Sequence, residues 1–210
     1  NQLCKSGLCV VSGSDDHTVR IWDATGREGK DGCLRVFKGH SDTVNSVAIL
    51  NDSKNQLCKS GLCVVSGSDD KTVRIWDATG REGKDGCLRV FKGHSKKVES
   101  VAILNDPKKQ LCESGLCVVS GSEDKTVRIW DATGREGKDG CLRVFEGHSN
   151  VNSVAILNDP KKQLCKSGLC VVSGSDDKTL RIWDATGSEG RGGCLRVFQG
   201  HSHWVRSVAI

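Results

Sequence analysis

The sequence predicts an all-β protein built from four copies of one unit, and three observations lead there. The first is repetition: "TVRIWDATG" begins at Thr18, Thr72 and Thr126 and returns as "TLRIWDATG" at Thr179, placing its tryptophan at Trp22, Trp76, Trp130 and Trp183. The period is 54 residues, one fewer in the last interval, because "GHSDTVNSV" and "GHSKKVESV" become "GHSNVNSV" after His148. A fixed period of this size marks an array of supersecondary units. The second is the clustering of β-branched residues in "LCVVSGS" and "TVRIW", which favours strands. The third is the absence of any stretch with helical apolar spacing.

The elements of one copy follow in order. After Gly39-His40, "VNSVAIL" reads as a strand and "NDSKNQLCKSG" as a long connection. "LCVVSGS" is a second strand, "DDKT" a turn with aspartate at its entry, "TVRIW" a third strand and "CLRVF" a fourth. The connection "DATGREGKDG" is glycine-rich but is not a phosphate loop. That pattern needs a Lys followed by Ser or Thr at the mouth of a helix, and here Asp85 follows Lys84.

Composition excludes several classes. The 210 residues are 36% hydrophobic and 27% charged, the make-up of a globular chain. No apolar run approaches the roughly 20 residues of a spanning helix, and "NQLCKSGLCVV" lacks the order of a secretory signal. The net charge of +5 is scattered, without a basic run or aromatic-interleaved patch, so neither nucleic acid nor membrane is an expected partner. The chain has no Met, and is expected to be processed or excerpted from a longer one.

Gly39-His40 near one end of a unit and Trp76-Asp77 near the other resemble the tryptophan-aspartate (WD) repeat family, and the resemblance covers essentially the whole chain. The copies are longer than the usual ~40–45 residues. The resemblance implies a β-propeller, four-stranded antiparallel blades around a channel, with the innermost strand following Gly-His. On this reading blade 1 is residues 1–37 plus 202–210, blade 2 is 38–91, blade 3 is 92–145 and blade 4 is 146–198. The final "WVRSVAI" is then the innermost strand that blade 1 lacks, and a ring closed by both chain ends leaves no open edge. Four blades are few for this family. The favoured assembly is a two-fold homodimer in which each last strand completes the other chain's first blade, giving eight blades; a closed four-bladed monomer and a fragment of a longer array are the alternatives.

The resemblance also implies a structural hydrogen-bond chain from Trp through Ser and His to the turn Asp. Its sets are His40, Ser66, Asp70 and Trp76; His94, Ser120, Asp124 and Trp130; His148, Ser173, Asp177 and Trp183; and, across the two chain ends, His201 with Ser12, Asp16 and Trp22. The same residue types suggest a hydrolase triad, but nothing indicates an oxyanion hole or substrate cleft, so no catalytic residue and no enzyme activity are expected. Nor are a cofactor or metal expected. The 12 Cys fall three per copy: Cys4, Cys9 and Cys33; Cys58, Cys63 and Cys87; Cys112, Cys117 and Cys141; Cys165, Cys170 and Cys194. The first two of each set flank a short turn, where a disulfide is possible, although WD repeats are usually intracellular and reduced. A zinc site lacks a second ligand pair.

The copies differ chiefly after Gly-His, at Asp42 and Thr43, Lys96 and Lys97, Asn150, and His203 with Trp204. They differ further at Asn45, Glu99, Asn152 and Arg206 in the first strand, and in the Asp turn at His17 against Lys71, Lys125 and Lys178. Strands alternate in direction, so both loops fall at the same end of every blade. By resemblance this rim binds partners, and Trp204, the one Trp outside the Trp-Asp signature, is an interface anchor or a packing residue of the closing strand. The expected function is a cytoplasmic protein–protein interaction scaffold or recognition module. The alternatives are a multivalent carbohydrate-binding propeller, or the ligand-sensing WD array of a nucleotide-binding receptor.

Overall fold

The computed structural model describes the chain apart from residues 1–2, 5–7, 27–31, 52–56, 59–60, 81–85, 107, 109–110, 135–139, 160 and 162. Four antiparallel sheets follow one another along it. The first holds β1 (Cys9–Gly13), β2 (Thr18–Asp23) and β3 (Cys33–Lys38). The second holds β4 (Val44–Asn51), β5 (Leu62–Ser68), β6 (Thr72–Asp77) and β7 (Cys87–Lys92), paired in chain order. The third repeats this with β8 (Val98–Asn105), β9 (Leu116–Ser122), β10 (Thr126–Asp131) and β11 (Cys141–Glu146). The fourth has β12 (Val151–Asn158), β13 (Leu169–Ser175), β14 (Leu180–Asp184) and β15 (Cys194–Phe198).

Local chemistry sets each sheet. Between the second and third strands of a blade, the amide of Lys71 donates to the Ser68 carbonyl at 3.1 Å, and Lys71 takes a left-handed φ of 69°. Asp70 holds this turn by accepting from the amide and hydroxyl of Thr72, at 3.0 and 2.6 Å. The third and fourth strands slip register between Ile75 and Trp76, which sets Trp76 opposite Cys87. A second slip, between Val44 and Ser46, leaves Asn45 as the extra residue of the innermost strand.

The core lies between blades rather than within them. Leu50, Val65, Val73, Ile75 and Phe91 of the second blade pack with Val98, Val101, Val118 and Trp130 of the third in one buried cluster. Phe37, Phe91 and Phe145 each meet the tryptophan of the following blade, Trp76, Trp130 and Trp183, with ring centroids 5.5 Å apart. Near the axis, Gly67 makes room for the next blade, since a Cβ there would stand 2.6 Å from Val98. The hydroxyl of Ser46 accepts from the amide of Val101 in the neighbouring innermost strand, and Ser100 does the same for Val154.

The closing strand departs from expectation. Residues 202–210 take the place of a fifth blade's innermost strand: Val205 packs on Gly174, its amide donates to the Ser175 carbonyl at 2.9 Å, and the amide of Val208 donates to Ser153 Oγ at 3.1 Å. Among the described residues they form no ladder and β1 has only β2 beside it, so these residues do not close a ring within one chain. A four-bladed ring needs about 90° between successive blades, and here residues 202–210 lie against β12 and β13 of the fourth blade rather than beside β1.

Candidate functional site

The second, third and fourth blades each carry a relay of polar groups in their interior. In the second blade Trp76 Nε1 donates to Ser66 Oγ at 2.8 Å, Ser66 Oγ lies 2.7 Å from His40 Nε2, and His40 Nδ1 lies 2.7 Å from Asp70 Oδ2. The same chain joins Trp130, Ser120, His94 and Asp124, and again Trp183, Ser173, His148 and Asp177. In each it is the first serine of "SGS" that bridges; the second, such as Ser68, caps the turn by accepting from the Asp70 amide. The Thr after the turn is a member the sequence reading missed: Thr126 Oγ1 reaches both Asp124, at 2.6 Å, and His94 Nδ1, at 3.3 Å.

Electrostatics fix the protons. Burial lowers the pKa of His94 and His148 and outweighs the pull of their aspartates, so both rings are neutral. Burial pushes Asp70 and Asp124 up, but hydrogen bonds from the histidine and threonine outweigh it and hold both carboxyls well below the usual range. A neutral ring facing a carboxylate donates from Nδ1 and accepts the serine proton at Nε2. That is the order of a hydrolase relay, yet Ser66, Ser120 and Ser173 are each 0% exposed and already accept from an indole. A nucleophile sealed from substrate attacks nothing; what the relay does is satisfy buried donors that would otherwise each cost about 1–3 kcal/mol.

The fourth expected set is not assembled within the chain. Trp22 Nε1 donates to Ser12 Oγ at 2.9 Å and Asp16 accepts from Thr18, but His201 is exposed at the other end and bonds to none of them. Phe198, equivalent to the buried Phe145, is 52% exposed there.

At the rim, His17, Lys71, Lys125 and Lys178 are exposed and all left-handed. Asp42 and Lys96 are exposed, Thr43 and Asn150 half-buried, and Lys97 pairs with Glu99 at 3.2 Å. Asn45 and Asn152 are drawn into the architecture: the Asn45 amide donates to Asp69 at 2.6 Å and to the Val98 carbonyl of the next blade at 3.0 Å, and Asn152 does likewise with Asp176 and Val205. Trp204 is 46% exposed, with the Arg206 guanidinium 4.4 Å from its ring centre and His203 beside it. A groove of about 310 Å³ between the third and fourth blades is lined by Lys125, Glu146 and Arg191 among others.

At the opposite end, Cys4–Cys9, Cys58–Cys63 and Cys112–Cys117 are disulfides, with Cα atoms 5.8–6.3 Å apart. Cys165 and Cys170 are free and buried, and Asp159 stands beside them. Sequence reading missed this aspartate; its signal is the recurrence of Asp six residues before the first Cys, at Asp52, Asp106 and Asp159. Asp52 lies outside the described residues.

The blade order, the inter-blade packing and the buried relay together define an array of propeller blades. The signature of the family described as WD domain, G-beta repeat, matches residues 2–23, 31–77, 85–131 and 139–184. The chain belongs to this WD40 family. It is 29% identical to nuclear distribution protein PAC1 of Arthroderma otae, over 98% of this chain and 43% of that protein. It is 33% identical to the PAC1 of Coccidioides posadasii, over 97% and 40%. Against the ribosome biogenesis protein WDR12 homolog of Nematostella vectensis the identity is 27%, over 98% and 58%. The chain therefore spans about half the length of these relatives.

Proposed function

We propose that the chain is a non-enzymatic scaffold that binds a partner protein through the rim of Gly-His and Asp-turn loops, and that two copies join into an eight-bladed ring. One observation carries the first part: every blade holds an exposed side chain outward on a left-handed residue, at His17, Lys71, Lys125 and Lys178. A conformation that costs an L-residue about 1–2 kcal/mol recurs four times where glycine would be unstrained, and such strain gathers at functional sites. Asp42, Lys96, Trp204 and Arg206 extend the same surface. The relatives' names, nuclear distribution and ribosome biogenesis, describe processes rather than reactions, which suits a binding module.

The second part rests on the two ends. β1 with Trp22, Ser12 and Asp16 is one half of an inter-blade interface, and Phe198, His201 and Val205 are the other. The two halves do not meet within one chain, and a second copy that supplies the missing half to each would bury both. The cytoplasm is the setting this reading implies. The thiols of Cys165 and Cys170 agree with it and the three disulfides with oxidising surroundings, so a thiol count on freshly isolated protein decides.

Light scattering tests the ring: twice the 22.6 kDa chain mass is expected, and a single-chain mass at every concentration overturns it. For the rim, the combined Lys71→Glu, Lys125→Glu and Lys178→Glu variant should lose the protein that crosslinks to the native chain, while Lys161→Glu at the opposite end keeps it. Equal capture by both variants moves the binding site off the rim.

A further inference from the structure

We propose that Asp159, Cys165 and Cys170 form a binding site for a soft divalent cation of the zinc class. One ligand atom from each lies within 4.8 Å of the others, and all three residues are buried. The four residues between the cysteines fall within the usual spacing of paired zinc thiolates. The turn brings the sulfurs together: the Gly168 amide donates to the Cys165 carbonyl at 3.1 Å, and Gly168, with φ 78°, reverses the chain so that Cys170 returns beside Cys165.

The aspartate distinguishes a cation site from a plain cysteine pair. Asp159 Oδ2 accepts from the amides of Leu164 and Cys165, so the backbone sets the direction of the carboxylate, as outer-shell hydrogen bonds do for metal ligands. Asp106 of the third blade makes the same two bonds, to Leu111 and Cys112. There the residue is 0% exposed and its Oδ1 has no hydrogen-bond partner. The neighbouring disulfide of Cys112 and Cys117 has no proton to offer that oxygen. In the fourth blade the same amide-aligned carboxylate stands beside two free thiols in place of a disulfide, and the three together make the donor set of a cation.

The chemistry balances. Cation binding displaces the two thiol protons to solvent and joins two thiolates and one carboxylate to the metal. Zinc–sulfur bonds of about 2.3 Å and zinc–oxygen bonds of about 2.0–2.2 Å need the three atoms to close by at most about 1 Å, which side-chain rotation supplies. Three protein donors leave one tetrahedral position for water. Oxidation of the pair to a disulfide, the state of the other three, removes two ligands and abolishes the site.

Cobalt(II) titration of the whole chain, fully reduced and kept free of oxygen, tests the proposal independently of the rim reading. The expected result is a thiolate-to-cobalt charge-transfer band with a tetrahedral ligand-field spectrum, both removed by added zinc. The Cys165→Ser, Cys170→Ser double variant should bind one cobalt fewer per chain. Asp159→Asn, which keeps an oxygen for the two amides while losing the charge, should weaken that site at least about tenfold with melting temperature unchanged. No charge-transfer band in the reduced chain, or titrations of both variants that match the native one, overturns it.

Discussion

The interface between the third and fourth blades and the surface at the end of the fourth are written in nearly the same residues, yet they differ in almost every physical property. Phe145 is fully buried against Trp183, whereas Phe198 is 52% exposed. His148 is buried and joined to Asp177 and Ser173, whereas His201 faces solvent. At the other end the Asp16 side chain is 48% exposed, against 4% for Asp70, and Trp22 is half-buried where Trp76 is sealed. Identical sequence thus does not carry identical stability. Each blade is stabilised by its neighbour, and an array of this kind is the sum of intrinsic blade terms and nearest-neighbour interfaces.

The largest expected effect separates the two regions directly. Trp130→Ala should cost about 3–5 kcal/mol, since it opens a cavity in a complete interface and removes the indole hydrogen bond to Ser120, while Trp22→Ala should cost half that or less. Urea unfolding of dilute protein measures both. Equal losses would mean that the N-terminal interface is already covered, and a Trp22→Ala loss that grows with protein concentration would locate its cover in a second copy.

Acid should act next, chiefly through the completed relays. His94 and His148 titrate below the ordinary value of 6.5 in the folded chain, so the unfolded chain takes up protons first. Their contribution is therefore present above about pH 6.5 and falls as pH drops below it. Asp70, Asp124 and Asp177 lie below 3.8, so their contribution is lost at still lower pH, as each folded carboxylate protonates. The urea midpoint should fall between about pH 7.5 and pH 5. A flat profile would show that the histidines are not held neutral.

The smallest effect is local and should ignore position. Lys125→Gly and His17→Gly each relieve a left-handed residue and should each gain about 0.5–1 kcal/mol despite their different surroundings. Unequal gains would mean that the turn is coupled to the blade interface.

Much of this was legible in the residues. The strands, their order and the composition of the relay follow from "LCVVSGS", "TVRIW" and the spacing of Gly-His, Ser, Asp and Trp, because alternation, turn chemistry and the demand of a buried indole for an acceptor are local rules. The failed closure was not legible, because rotation per blade emerges from packing such as Val98 on Gly67, and no single residue encodes it. Asn45 looked like a variable rim residue because the register slip that turns it toward the next blade does not show in the sequence. Asp159 was passed over because it stands six residues from the first cysteine, across a connection whose path only the fold supplies.

If two copies join as proposed, the β1 edge and the last strand make this chain a bifunctional monomer in the polymer chemist's sense. Ring closure and chain growth then compete for the same two reactive ends: dilution favours the species that closes with the fewest copies, and crowding favours longer, open ones. Near-identical blades sharpen that competition, because no end carries information that distinguishes one successor from another. What would select a discrete assembly over a filament is the rotation per blade, which close joints such as that of Val98 on Gly67 set.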